Sequence, residues 1–449
     1  MVKSGSGASP APMPRRTVGR IAQWLRADSL GGGAVLLLAL SVFLSVFAGK
    51  VIDGSETIHD SMGRDIYVES GNVGGLVSIA FLALAGAVAL IALIQSGIRC
   101  VVVGGAGTWM VLVIIWVFFC RIVLRREMDT FQGVIEMVVG CLLALAVLSS
   151  PPTLLTARRL NLFRDIWVLA SLAYSAIFVD AGQSMCRLDK CGIFGSMYTG
   201  FAGQENSASK MVALLVPLAL AAATRRRMFF SVAIAGVFVL ASGSRTGLLS
   251  FIAALAFVLW AWFFAPGRER PGAIRVPLVL TGFPLVALGA SIAVFLFISP
   301  MALTGRGVMY AGIRSQLTGV ALLIGSGADT MTTIFERGLT RGYNAVGEHG
   351  EAPHILVNGG LVAMLLFTMS VVLVAFKRRW LRIELLALGL LFAASVEFVT
   401  EPGWSLEVRT VDFLTILLFI GFFRPVAPSP LPGERGGDLS AGESRQVSA

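Results

Sequence analysis

Long apolar runs separated by short polar segments dominate the pattern of this chain. Many of the runs are about 20 residues long, the helix length that crosses roughly 30 Å of hydrocarbon. Transmembrane β-strands would instead alternate in hydrophobicity over about ten residues. We therefore predict an all-α polytopic transmembrane helical bundle. About twelve spans are predicted, over residues 31–49, 73–96, 101–120, 133–150, 165–181, 208–224, 228–242, 247–266, 276–299, 355–376, 383–400 and 411–423.

The composition excludes an ordinary soluble domain. The chain is 56% hydrophobic and only 14% charged, with a mean hydropathy of +0.82, whereas soluble domains are about a quarter charged. The lipid bilayer is therefore the first expected partner. The net charge of +10 is typical of the positive-inside bias of membrane proteins and does not indicate nucleic-acid binding.

The basic residues also predict an orientation. With a cytoplasmic N-terminus, about 22 of the 36 Lys and Arg residues fall inside, and an even number of spans places both termini in the cytoplasm of a plasma (inner) membrane protein. Arg121, Arg125 and Arg126 are the main exceptions, because this arrangement places them outside.

The predicted organisation has three parts. Residues 1–30 form a cytoplasmic N-terminal segment, residues 31–424 a polytopic membrane domain, and residues 425–449 a polar tail rich in Pro, Gly and Ser that reads as disordered. The longest outer loop covers residues 300–353. We expect this loop to contain an amphipathic helix.

A second outer segment carries two cysteines, Cys186 and Cys191. They would form a disulfide if the segment faces an oxidising compartment. Two free thiols are the alternative, and the sequence does not decide between them.

Arg245 lies in a tight connection between two predicted spans, Ser242–Gly247. The connection is so short that the arginine must lie at membrane depth or at the outer interface. Arginine there usually faces a cavity or a partner, and a Gly/Ser-rich turn can present backbone N–H groups to an anion. An interfacial arginine that snorkels to water is the simpler interpretation.

The outer loop is predicted to open with a helix over residues 305–323, capped by Thr304. Arg306, Tyr310 and Arg314 then lie on one stripe of that helix. The pair of guanidinium groups would suit phosphate oxygens, or the helix is simply amphipathic and rests on the outer leaflet. An adjacent apolar stripe holds Met309, Ile313, Leu317 and Val320.

Two of the three histidines, His349 and His354, lie just before the span that begins at Ile355. Imidazole accepts a proton near neutral pH, and a helix N-terminus at Pro353 would favour the neutral ring at His354. Glu348 and Glu351 could complete a metal site with the histidines, but this spacing is not typical of metal ligands. We predict no metal and no cofactor.

The order of these segments resembles the O-antigen ligase and polysaccharide polymerase superfamily of bacterial membrane glycosyltransferases, over roughly residues 195–400. In that family the histidine stands about eleven residues before a glycine. His349 has this spacing to Gly360, whereas His354 has the position at the edge of the span. The segments that carry the resemblance are Gly203–Ala208, Ser242–Gly247, Thr304–Tyr310 with Gly325–Gly327, and a histidine before Gly360-Leu361.

The resemblance implies metal-independent, inverting glycosyl transfer at the outer face of the membrane during cell-surface polysaccharide synthesis. The donor would be a glycan on a polyprenyl diphosphate, and the acceptor a hydroxyl of a glycan, lipid or protein. The implied general bases are His354 or His349, the implied diphosphate ligands are Arg245, Arg306 and Arg314, and the residues expected to support the site are Asn206, Tyr310 and Glu348.

Two other classes of function compete with the enzyme. A transporter of an anionic or sugar solute would place arginines in its substrate site, but transporters tend to have paired broken helices and an internal repeat, and the sequence shows neither. A non-catalytic scaffold of envelope assembly would tolerate replacement of Arg245 and the histidines. Polymerase and ligase share donor and fold, and the sequence does not separate them.

Overall fold

The computed structural model describes residues 29–52, 55–59, 65–69, 73–96, 105–125, 131–186, 191–202, 204–264, 274–299, 306–327, 330, 334, 350–399 and 406–423. Most of the predicted N-terminal segment and the whole predicted tail lie outside these ranges. So do His349 and Glu348, together with the side chain of Arg306.

Helices make up most of the described chain, as the apolar runs predicted. The first group is α1 (Leu30–Val51), α2 (Val73–Ser96), α3 (Ala106–Phe119), α4 (Phe131–Ser149), α5 (Leu154–Ile177), α6 (Val179–Gly182), α7 (Glu205–Leu214) and α8 (Arg225–Ser242). The second is α9 (Arg245–Phe264), α10 (Leu278–Phe297), α11 (Arg306–Gln316), α12 (Val320–Ile324), α13 (Glu351–Phe376), α14 (Arg382–Ser395) and α15 (Val411–Phe422).

Several helices end in tighter or wider turns. A π-helical turn, Cys120–Leu124, continues α3. The 3₁₀ turns are Gly200–Ala202, Val216–Ala221 after α7 and Glu397–Val399 after α14. The strands form short antiparallel pairs: β1 (Ser55–His59) with β2 (Asp65–Glu69), β3 (Gln183–Ser184) with β4 (Met197–Tyr198), and β5 (Ile274–Arg275) with β6 (Arg379–Trp380).

The chain is a helical membrane protein. Within the described residues, six helices are long and apolar enough to cross a bilayer: 30–51, 73–96, 106–124, 245–264, 278–297 and 351–376. Each of the other predicted spans also overlaps a helix, but those helices are shorter, interrupted or more polar. The count of twelve spans stays a prediction.

One predicted boundary was wrong for an electrostatic reason. We placed Arg164 in a cytoplasmic loop before a span at 165–181, whereas α5 begins at Leu154 and buries Arg164 completely. The guanidinium lies 2.7 Å from the Asp165 carboxylate and donates to the Leu215 carbonyl at 2.9 Å. Asp165 in turn accepts from Arg227 at 3.0 Å. The carboxylate thus neutralises the buried guanidinium of Arg164, so a charged residue did not mark the end of the helix.

The loop helix also differs from the prediction. It begins at Arg306 but ends at Gln316, and α12 follows after a turn at Gly319, where φ is +58°. Of the predicted apolar stripe, Met309 and Ile313 are buried, whereas Val320 is exposed. The helix therefore packs into the bundle near α10 and α13, and its inner face is not the lipid-facing surface of an interfacial helix.

Cys186 and Cys191 form a disulfide. The sequence left open whether these two cysteines form a disulfide or remain free thiols. The structure has the disulfide, which suits a segment in an oxidising compartment.

Candidate functional site

Helix α13 is interrupted at Gly360, about a third of the way along its 26 residues. Gly360 has φ +64° and ψ −161°, outside the helical region, so α13 consists of a first half, residues 351–359, and a longer second half. This conformation is essentially restricted to glycine. A Cβ at this position would also lie 2.3 Å from the backbone of Leu323. The interruption therefore requires glycine for two independent reasons.

The carbonyl groups at the interruption are bonded to donors from other elements. The Gly327 N–H donates to the Val357 carbonyl at 3.0 Å, and the Trp116 indole donates to the Gly359 carbonyl at 2.8 Å. Arg125 donates to the carbonyls of Val357 at 3.1 Å and Asn358 at 3.0 Å. A buried carbonyl without a donor costs about 1–3 kcal/mol of folding free energy. These hydrogen bonds therefore offset the cost of interrupting the helix.

Arg125 explains an anomaly in the predicted topology. It is one of the arginines that the positive-inside pattern placed on the wrong side. Its guanidinium lies at the C-terminal end of the first half of α13, where the helix dipole is negative. It also donates to the Ile324 carbonyl at 3.3 Å. The Arg125 guanidinium thus joins the end of α12 to the interrupted helix through hydrogen bonds to both.

The Gly-x-Gly turn that was part of the resemblance packs on this interruption. Gly325 has φ +86° and Gly327 has φ +96°. A Cβ on Gly325 would lie 2.3 Å from the Val357 carbonyl oxygen. The Gly-x-Gly turn therefore packs directly against the interruption of α13, with no room for a side chain between them.

His354 lies in the first turn of α13, with its side chain 9% exposed. The Asn358 amide donates to the His354 carbonyl at 2.9 Å and lies 3.5 Å from the imidazole Nδ1. The ring is thus held beside an amide in the first turn of the helix. Neutral imidazole so positioned can accept a proton from a hydroxyl.

Tyr310 reaches the same end of α13. Its ring is 1% exposed and packs edge-on against Phe295, with 5.8 Å between ring centroids. A Cβ on Gly350 would lie 3.4 Å from the Tyr310 hydroxyl. The segment around Tyr310 and the residues just before His354 are therefore neighbours, although about forty residues separate them in sequence.

Arg314 contacts the end of α10. Its guanidinium donates to the Phe295 carbonyl, in the last turn of α10, and lies 5.8 Å from the centroid of the Phe295 ring. Both contacts tie α11 to α10. They give Arg314 a structural role beside the diphosphate-binding role that we predicted.

Asn206 and the connection before Arg245 lie together. The Ser244 hydroxyl donates to the Asn206 side-chain oxygen at 3.0 Å and accepts from the Gly247 N–H at 3.1 Å, as an N-cap of α9. Gly243, with φ +66°, ends α8. The predicted tight break is therefore confirmed, and Arg245, the first residue of α9, has an exposed side chain.

A buried ionic cluster lies one turn further along α7, and sequence reasoning missed it. The Lys210 ammonium is 2.7 Å from the Asp412 carboxylate and 3.5 Å from that of Glu397. Glu397 also accepts from the Ser250 hydroxyl at 2.7 Å. The signal was present in the sequence, because Lys210, Glu397 and Asp412 are charged residues inside predicted apolar spans, and such residues are usually functional or paired.

The cluster joins the two groups of predicted site residues. Lys210 lies four residues after Asn206 on α7, and Glu351 lies three residues before His354 on α13. The Glu351 carboxylate is 1% exposed and contributes to the negative field around Lys210. Helices α7 and α9 are therefore linked through buried polar contacts, and Glu351 of α13 adds negative charge near the same cluster. Within the described residues, no cluster of three or more His, Cys, Asp or Glu side chains is arranged to hold a metal ion.

Comparison of the chain with protein-family models, with curated proteins and with solved structures gave no match.

Proposed function

We propose that this protein is a metal-independent, inverting membrane glycosyltransferase of the O-antigen ligase and polysaccharide polymerase type. It would transfer a glycan from a polyprenyl diphosphate to an acceptor hydroxyl at the outer face of the plasma membrane. One observation carries the proposal: the four sequence segments that resemble this superfamily pack together in pairs. Asn206 bonds to Ser244, and the Tyr310 segment with its Gly-x-Gly turn packs on α13.

The proposed base is His354. As the acceptor hydroxyl attacks the anomeric carbon, its proton passes to the neutral imidazole, and the bond from that carbon to the diphosphate oxygen breaks. The Asn358 amide beside Nδ1 fixes the ring. His349 stays a second candidate for this role from its spacing alone.

The proposed ligand of the leaving diphosphate is Arg245. Negative charge grows on the diphosphate as the glycosidic bond breaks, and a fixed guanidinium stabilises it most where water is partly excluded. The exposed side chain at the start of α9, next to the Ser244 that bonds to Asn206, is accessible to a large anionic headgroup. Arg306 is retained as a second ligand from the sequence, and Arg314 would act mainly by holding α11 in place.

The test is a gel of cell-surface glycans from a deletion strain that carries each variant. We expect Arg245→Ala and His354→Ala to abolish formation of the mature glycan while the protein stays folded in the membrane. Arg226→Ala is the matched control, because Arg226 is also exposed and lies at the opposite end of the helix that precedes Arg245. We expect that variant to keep full activity.

The pattern on the gel also separates the members of the enzyme class. Single repeat units would indicate a polymerase, and long chains left on the carrier lipid would indicate a ligase. Full activity of the Arg245→Ala variant at a normal protein level would refute the catalytic proposal.

A transporter remains the second candidate, and the interruption of α13 favours it. Discontinuous helices are common in the substrate sites of transporters, and the sequence had not suggested one here. An unaltered glycan profile in the deletion strain, together with reduced uptake of an anionic or sugar solute, would decide for the transporter.

A further inference from the structure

A cavity of about 470 Å³ lies between the ends of α1, α2, α3 and α4 and the segment that precedes α15. Its volume is within the range of about 300–1,000 Å³ that small-molecule sites occupy. None of the residues predicted from the sequence as catalytic or diphosphate-binding lines it. Four charged residues do: Arg121, Glu136, Glu407 and Arg409.

The charges of these four side chains cancel, and this balance bears on the class of ligand. An anion would favour an excess of arginine, and a cation would favour an excess of glutamate. A balanced set offers both donors and acceptors without net charge. Sugar hydroxyl groups donate and accept at the same time, so a carbohydrate matches this lining better than a phosphate or an amine.

Two of these charged side chains form a weak ion pair with each other. Arg409 and Glu136 form an ion pair at 3.0 Å, with exposures of 34% and 19%. Ion pairs this exposed contribute at most about 1 kcal/mol. Opening the pair to admit ligand hydroxyls therefore costs little, and each partner regains a hydrogen bond.

One wall of the cavity is made of small residues. Gly74 and Gly75 in the first turn of α2 both line it. A Cβ on Gly75 would meet no atom within 4 Å. A larger side chain at position 75 would project into the open space of the cavity. Gly75 therefore leaves that volume free for a ligand.

Two segments that line the cavity also lead to elements of the proposed active site. Arg121 lies one turn before Arg125, which holds the half of α13 that carries His354. Arg409 lies just before α15, whose Asp412 pairs with Lys210. We propose that this cavity binds the saccharide of the acceptor, and this inference rests on the proposed function. The acceptor chain would lie in the cavity and extend its reacting hydroxyl towards His354.

The test measures binding directly. The probe is the oligosaccharide released by mild acid from the surface glycan of the producing cells, titrated onto the purified protein in lipid nanodiscs by calorimetry. We expect Gly75→Leu to weaken binding at least tenfold by filling the cavity. Glu136→Gln, which adds no bulk, should weaken binding about tenfold. Gly282→Leu is the matched control, since Gly282 is a helical glycine whose Cβ would also meet no atom within 4 Å, and we expect no change.

Unchanged affinity in both Gly75→Leu and Glu136→Gln, or no binding to the wild-type protein, would overturn the acceptor site. So would displacement of the oligosaccharide by inorganic phosphate, because the cavity would then be an anion site. Arg245→Ala should bind the oligosaccharide normally. If Arg245→Ala keeps full activity, the proposed function fails, and the binding data alone then report on the cavity.

Discussion

Replacement of Gly360 by alanine tests the interruption of α13 most sharply. The backbone there has φ +64° and ψ −161°, and a residue with a Cβ is strained in that region by about 1–3 kcal/mol. The added Cβ would also lie 2.3 Å from the carbonyl carbon and oxygen of Leu323. Because these are backbone atoms, relief requires α12 to move, and overpacking of this kind costs about 1–3 kcal/mol more.

Together these terms predict a loss of about 2–6 kcal/mol in the free energy of unfolding of Gly360→Ala. The matched control is Gly282→Ala in α10, where a Cβ meets no atom within 4 Å. Alanine is the better helix former, so this variant should gain up to about 1 kcal/mol. The same substitution is therefore expected to change stability in opposite directions at the two sites.

The assay compares purified wild-type and variant proteins in one detergent. The fraction of folded, monodisperse protein is measured by size-exclusion chromatography after heating to a series of temperatures. A loss of only 2 kcal/mol raises the unfolded fraction roughly thirtyfold, so the midpoint should fall clearly below that of the wild type. Equal midpoints for Gly360→Ala and the wild type would refute the interruption and indicate a continuous helix.

Three further predictions concern the contacts around the site. Arg125→Ala should destabilise the protein by about 2–4 kcal/mol in the same heating assay, because it deprives buried carbonyls of a donor. Arg125→Lys should recover only part of the loss, since the ammonium lacks the planar fork of donors with which the guanidinium reaches neighbouring carbonyls. Lys210→Met should cost about 3–5 kcal/mol by leaving buried carboxylates without a cation. Adding Asp412→Asn should recover part of that loss, and additive losses would contradict the pairing. A membrane-impermeant maleimide should label Cys186 and Cys191 on intact cells only after reduction, and labelling without reductant would disprove the bridge.

The helical architecture was predictable because the ends of a long, uniformly apolar run lie close to the ends of the helix that it forms. The second predicted span, 73–96, coincides with α2. Prediction failed where charge enters the bundle. Arg164 looked like the end of a span, yet its pairing with Asp165 and its bond to Leu215 allow α5 to continue through it. A pattern of single residues cannot show that two charges will neutralise each other.

The candidate site was predictable as a set of segments but not as an arrangement. The interruption at Gly360 was invisible because glycine is common within transmembrane helices. It becomes recognisable only when Leu323 and Arg125 are seen against it. The contact of Asn206 with Ser244 likewise depends on the packing of α7 against α9. The Lys210 cluster is different, since its charged residues within apolar runs were a readable signal.

Several arginines in the described part of this protein donate hydrogen bonds to carbonyl groups at the ends of helices. Arg125 bonds the carbonyls at the interruption of α13, Arg164 the carbonyl that follows α7, and Arg314 a carbonyl in the last turn of α10. In a bilayer each such carbonyl must find a donor within the protein, and a guanidinium supplies several donors together with a charge that suits the negative end of the helix dipole. The same physics weakens any count of arginines as evidence for an anionic substrate. The case for a diphosphate site therefore depends on Arg245, whose side chain is exposed at the N-terminal, positive end of α9, where a bound anion is favoured by both the helix and the guanidinium.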